Sequence, residues 1–218
     1  MVNSKVVVPQ IVFKYSPFKY YMSKLRMWKL RWTWDRSFKE RDFVEESKKA
    51  AVSLTDIIRM RDMKNIDKFS TSNVYYQMAT ESVNFPHKSF SQLLRFRKQD
   101  IRQAVPINVH LHDILGLRYA LIDVVFVGLR HVADCETSSD LEIMKNALIE
   151  MEPELKPQLE DPGCQLPYVF VELFMRFRRN YSNAEQISGA ELQNHTNRWL
   201  VSVYKICRFN IFTVPPAI

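Results

Sequence analysis

Glycine is scarce in this chain. Four occur in 218 residues, Gly116, Gly128, Gly163 and Gly189, and no two lie close together. The P-loop and the dinucleotide-binding turn are thereby excluded, because both need clustered glycines to bring backbone N–H groups up to phosphate. No apolar run reaches the roughly 20 residues that a membrane-spanning helix requires. Cysteine is limited to Cys135, Cys164 and Cys207. The number is odd, no C-x-x-C occurs, and no segment with an apolar core and a small-residue cleavage site precedes them. A disulfide scaffold is excluded and a reducing or matrix-like compartment is expected. The triplets at Asn180 and Asn194 then carry no expectation of glycosylation. Apolar residues make up 46%, aromatics 12% and charged residues 25%, the profile of a folded chain with enough length for one well-cored domain.

The net charge of +7 is unevenly distributed. Residues 1–34 hold seven bases and no acid; residues 35–133 hold 16 bases and 12 acids. Residues 134–161 reverse the sign, with nine acids against Lys145 and Lys156, and residues 162–218 return to six bases and three acids. A basic arm (1–34) is thus expected ahead of an α+β domain (35–218) that carries an acidic helix-and-loop insertion at 134–166. Such asymmetry speaks to partners more than the total does.

The arm interleaves its bases with eight aromatics: Phe13, Tyr15, Phe18, Tyr20, Tyr21, Trp28, Trp32 and Trp34. Pro9 and Pro17 interrupt its start, so a continuous helix is expected from about Phe18. Within it Tyr21, Leu25, Trp28 and Trp32 fall on one face. Trp and Tyr favour the water–headgroup boundary, and bases add attraction to anionic lipid. Lys14, Lys19, Lys24, Arg26, Trp28, Lys29, Arg31 and Trp32 are therefore the candidate residues for binding membrane or ribosome. The alternative is an arm that packs its aromatics on its own domain and turns its bases to water.

Ser37 and Glu40 form a capping-box signal ahead of Phe43, Ser47, Ala50, Ala51, Leu54, Ile57 and Ile58, which recur at helical spacing. Shorter helices are expected over Asp62–Phe69, about Asn73–Ser82 and roughly Ser89–Gln103, the last using Phe90, Leu93, Leu94 and Ile101. The period then changes to two. Val105–Leu111, Leu117–Val132, Tyr168–Phe177 and Trp199–Phe212 read as strands. Between them Ser139 and Glu142 suggest a capped helix with Leu141, Met144, Leu148 and Met151 as its stripe. From Pro153 to Pro167 a loop is expected. Helices first and four strands after them predict an α+β fold, an antiparallel sheet curling around the N-terminal helices.

Chemistry-bearing patterns are few. His110 and His112 share a strand face, a spacing compatible with a metal, yet a third ligand is needed and sequence does not place Asp113 or His131. Surface or hydrogen-bonded histidines are the plainer reading. His131 with Asp134 or Cys135 can be drawn as a nucleophile pair, but no G-x-S-x-G turn or H-E-x-x-H helix supports hydrolysis. Asp123 or Tyr119 in a conical pocket is the remaining acid–base option. No catalytic residue, metal or cofactor is assigned; the chain is read as a non-enzyme.

Several stretches carry a resemblance: Val7-Val8-Pro9, Ser16-Pro17-Phe18-Lys19-Tyr20-Tyr21, Trp34-Asp35-Arg36-Ser37-Phe38, Asp42–Ala51, Asp62–Ile66 and the strand opening at Trp199. Together they resemble the Tim44-like domain superfamily, most closely its branch that interacts with the m-AAA protease. The resemblance implies an NTF2-like cone and a site on the matrix side of the inner membrane. It also implies an adaptor or chaperone-like role: association with the m-AAA protease and escort of newly imported precursors, the calcium uniporter's regulatory subunit among them. A mitochondrial large-ribosomal-subunit protein of the same superfamily, binding rRNA and tethering the ribosome, is the alternative, and an NTF2-like pocket enzyme the second. Basic presequences are repelled by the arm and attracted by the acidic segment, so Glu142, Glu150, Glu152 and Glu154 are the candidate client-binding residues, solvated acids without a partner being the alternative.

Overall fold

The computed structural model describes residues 16–60, 69–74, 76–77, 92–135, 137–161, 164–182 and 198–213. Among them four strands form one antiparallel meander: β1 (Ile101–Ile114), β2 (Leu117–His131), β3 (Tyr168–Asn180) and β4 (Leu200–Phe212), in the order β1-β2-β3-β4. Helices α1 (Pro17–Thr33) and α2 (Glu40–Met60) precede the sheet, and α3 (Ser138–Met151) and the short α4 (Lys156–Glu160) lie between β2 and β3. The α+β expectation and all four strands are found.

Alternation along the strands defines the core. On one sheet face β2 buries Ala120, Ile122, Val124 and Phe126, and β3 buries Val169, Val171, Leu173, Met175 and Phe177. These meet in register, with Ile122 opposite Phe177 and Val124 opposite Met175. Helix α2 adds Phe43, Ala51, Leu54 and Ile57 to the same cluster. Phe43 stands edge-on to Phe177 at 5.5 Å and to Trp199 at 5.0 Å. Gly128 lies where β2 passes beneath Phe96: a Cβ there would come within 2.9 Å of the Phe96 ring and 2.8 Å of Val171.

Each sheet edge is covered over part of its length. On β1, Ser23 of α1 donates to the Pro106 carbonyl at 3.4 Å and Arg26 to that of Val109 at 3.0 Å. On β4, Val201 exchanges backbone hydrogen bonds with the 69–71 segment, donating to Phe69 and accepting from Thr71. Free strand edges invite unwanted pairing, and covering them removes the template.

Asp35 locks the α1–α2 turn to the sheet. Its carboxylate is buried yet accepts from four donors: Ser37 N–H at 3.1 Å, Ser37 Oγ at 2.6 Å, Tyr181 Oη at 3.0 Å and the Arg179 guanidinium at 3.0 Å. Burial pushes the carboxyl upward, but the Ser37 and Tyr181 hydrogen bonds and the Arg179 charge outweigh it and hold Asp35 below its ordinary value. Burial also raises the Tyr181 phenol well above the usual range; Arg179 opposes this and Asp35 reinforces it.

The remaining differences from sequence are local. The expected capping box does not form: Ser37 gives its hydroxyl and N–H to Asp35, and α2 starts later, at Glu40, with the Phe43 N–H on the Lys39 carbonyl. Thr137, not Ser139, caps α3, accepting from the Asp140 N–H at 3.1 Å. The expected loop after Pro153 contains a 3-10 turn (Pro153–Leu155) and α4. The helix expected over Ser89–Gln103 is cut short: residues 89–91 lie outside the described ones, Gln92 and Leu93 are helical, but residues 95–97 are not, Lys98–Asp100 is a 3-10 turn, and Ile101 already belongs to β1. There Asp100 accepts the Arg97 N–H at 2.8 Å, which stops the chain before the strand. The expected Asp62–Phe69 helix lies outside the described residues apart from Phe69, as does most of Asn73–Ser82.

Replacing Asp35 with Asn removes the carboxylate charge that faces Arg179, at an expected cost of about 2–3 kcal/mol in urea unfolding. Because the folded carboxyl sits below its unfolded value of 3.8, its contribution is complete above that value and is lost as pH falls through the folded one. The gap between wild type and Asp35→Asn should therefore close on acidification below that value.

Candidate functional site

Helix α1 opens with Pro17 at its first turn, has no acid there, and ends with Arg31 in its last. The proline suits a position whose N–H is unused anyway, and the terminal base suits the negative end of the helix dipole. Ser23, Met27 and Leu30 are its buried residues, and the last two join the common core. The basic segment's helical part is thus seated on the domain.

Its opposite face leaves large apolar side chains in water. Phe18, Tyr21, Leu25, Trp28 and Trp32 are between 57 and 73% exposed. At 3.6 residues per turn they lie on one arc, directly away from Met27 and Leu30. The Trp28 and Trp32 rings sit 5.3 Å apart. By the same geometry Lys29 borders one side of the stripe and Arg31 the other, and both are exposed, as is Lys19. The alternative in which the arm packs its aromatics inward is overturned for these residues.

Two of the expected basic residues are committed elsewhere. Arg26 turns inward, donating to Asn108 Oδ1 at 3.2 Å and the Val109 carbonyl at 3.0 Å. Lys24 forms an ion pair with Glu40 of α2. Burial works against the Lys24 ammonium, but the Glu40 hydrogen bond and charge prevail and raise its pKa. Neither cation is placed for a lipid or phosphate contact. Lys14 lies outside the described residues.

The acidic segment is placed by β2 and α3. At the far end of β2 the buried Arg130 donates to the Arg95 carbonyl at 2.6 Å, and Arg95 pairs with Asp140 of α3 at 2.6 Å. Helix α3 buries Met144, Ala147 and Leu148. Glu142, Glu150, Glu152 and Glu154 are all on the exposed side. Lys145 ties α3 to α4 through the Leu159 carbonyl at 2.9 Å. An open groove of about 370 Å³ follows, lined by Glu142, Lys145, Asn146, Ile149, Leu159 and Glu160.

The acid–base option at Asp123 is overturned. Asp123 alternates with Ile122 and Val124 and so faces away from the core. Arg176, its partner across the β2–β3 pair, donates to both carboxylate oxygens at 2.6 and 3.0 Å, and this contact raises the Arg176 pKa. Tyr119 lies beneath the Arg178 guanidinium at 4.2 Å. His110 and His112 stack at 6.0 Å, and His110 shares a 2.8 Å hydrogen bond with Asn108. Burial lowers the His110 pKa; Asp123 opposes this, while Arg176, Arg26 and His112 add to it. The ring of His131 bonds the Leu166 carbonyl at 3.0 Å, and Cys135 accepts from Arg130 at 3.3 Å, so these two are not brought together as a pair. Among the described residues no group of three His, Cys, Asp or Glu side chains could hold a metal, and no helix is long and apolar enough to cross a membrane.

No protein-family model matches the chain, and no curated protein matches it.

Since the outer stripe of α1 contributes nothing to the core, replacing Trp28 and Trp32 together with Ser should shift the melting temperature by less than about 2 °C, as followed by circular dichroism. A shift above about 5 °C would place these rings in the folded interior instead.

Proposed function

We propose that this protein is a non-enzymatic, membrane-docked adaptor. The observation that carries the reading is the α1 stripe: five large apolar side chains exposed on a helix whose other face is fixed in the core. Amphipathic helices with Trp, Phe and Leu on one face and bases beside it lie in the headgroup region of anionic bilayers. The acidic α3–α4 side, at the other end of β2, then serves a cationic client, with Glu142 at the rim of the groove and Glu150, Glu152 and Glu154 beyond it. In the setting implied by the Tim44-like resemblance, the surface is the matrix side of the mitochondrial inner membrane and the partner is the m-AAA protease. The clients are newly imported precursors with basic presequences, such as the uniporter's regulatory subunit.

The ribosomal reading draws on the same residues, since aromatic rings interleaved with cations also suit single-stranded RNA. Sedimentation with zwitterionic vesicles, with anionic vesicles and with structured ribosomal RNA over a salt series separates the two. Membrane docking predicts binding to anionic vesicles that persists in part at high salt, and a loss of about tenfold or more for Trp28→Ser with Trp32→Ser. RNA binding predicts log affinity falling with log salt by about 0.9 per duplex phosphate contact. Failure to bind either vesicle type removes the adaptor's anchoring step.

A further inference from the structure

The β1–β2 hairpin ends in a leucine that the fold does not use. Its two-residue loop, Leu115-Gly116, has φ angles of 53° and 83°, the left-handed pair of a type I′ turn, for which Asn-Gly is the favoured sequence. A leucine in the left-handed region carries backbone strain. No burial offsets it, because Leu115 is 97% exposed and Ile114 65%. Strain kept at an exposed apolar residue points to a role outside the folded domain.

The position of the loop suggests that role. Tyr119 opposite Asn180 is the last β2–β3 pair, so residues 115–118 project past the end of β3. Helix α1 runs toward the same end, with Ser23 at Pro106 and Arg26 at Val109. The turn after α1 is held there through Asp35, Arg179 and Tyr181. The Tyr181 N–H donates to the Arg118 carbonyl at 2.8 Å. The Trp28–Trp32 end of the stripe and the hairpin tip therefore occupy one end of the molecule. Lys29, Arg31 and Arg36 are exposed at that end, and Asp113 on the hairpin is neutralised by Arg118 at 2.9 Å.

The geometry points to a second membrane-insertion element: Ile114 and Leu115 enter the surface of an anionic lipid bilayer beside Trp28 and Trp32. This rests on the docking reading above and adds a point of contact off the helix. An unsupported leucine at the end of the molecule that also exposes Lys29, Arg31 and Arg36 suits the acyl–headgroup boundary, where the side chain finds hydrocarbon and the cations find phosphate.

Leu115→Asn tests it, because Asn is favoured at this turn position and the variant is expected to fold better than wild type. Its melting temperature should rise by about 2–4 °C, while its affinity for vesicles of phosphatidylcholine with phosphatidylglycerol falls about tenfold. Opposite signs in the two readouts support insertion, since a merely structural role moves both the same way. If wild type binds these vesicles and Leu115→Asn binds equally well, the hairpin assignment is overturned and the α1 docking stands. If wild type does not bind at all, both fall. If wild type is a dimer by analytical ultracentrifugation and the variant a monomer, the tip meets a second copy of the chain, which overturns the lipid assignment.

Discussion

A carboxylate can leave water only when its charge and its lone pairs are answered, and the placement of α1 depends on Asp35 meeting that condition. With Ser37 on one oxygen and Tyr181 and Arg179 on the other, the turn after α1 has a single anchored geometry on the end of β3. Desolvation would otherwise cost several kcal/mol. Helix α1 is fixed at its C-terminal end by this cluster and along its length by Met27, Leu30 and the carbonyls of β1. Its outward face consequently has a fixed orientation on the domain.

The same constraint shapes the charge pattern. Lys24 and Arg26 contribute to the arm's formal charge, but they satisfy Glu40 and the edge of β1. The outward cations number fewer than the sequence suggests, and the apolar stripe dominates that surface. The acidic residues stand at the other end of β2, where Arg130, Arg95 and Asp140 join strand, loop and α3.

Sequence makes the strands plain, since period-two runs of Val, Ile and Phe have few other uses, and each of the four strands begins within a few residues of where its pattern does. The α2 stripe and the helix through Tyr21, Leu25, Trp28 and Trp32 were legible for the same reason. Three matters were not. Asp35 takes Ser37 from its expected cap with the help of Arg179 and Tyr181, which lie more than half the chain away, and no local pattern encodes that contact. Leu93 does stand in a helical turn, but the pattern does not show where that turn stops: Asp100 takes the Arg97 N–H and the chain enters β1 at Ile101, so strand pairing ends the helix sooner than spacing alone predicts. Spacing also gives an aromatic stripe without saying whether it faces inward, and only the burial of Met27 and Leu30 on the other side decides it. Leu115 had a signal, a Leu-Gly pair between two strand patterns, but its meaning depends on the left-handed backbone that only the folded hairpin displays.

The covering of β1 by α1 limits how the domain can come apart. Cutting the chain between Thr33 and Phe38, followed by loss of the helix, would bare the Pro106 and Val109 carbonyls and the apolar bed beneath Met27. The truncated remnant would then offer a ready acceptor for strands of its own kind, so that proteolytic trimming at this turn would yield insoluble aggregate rather than a smaller working domain.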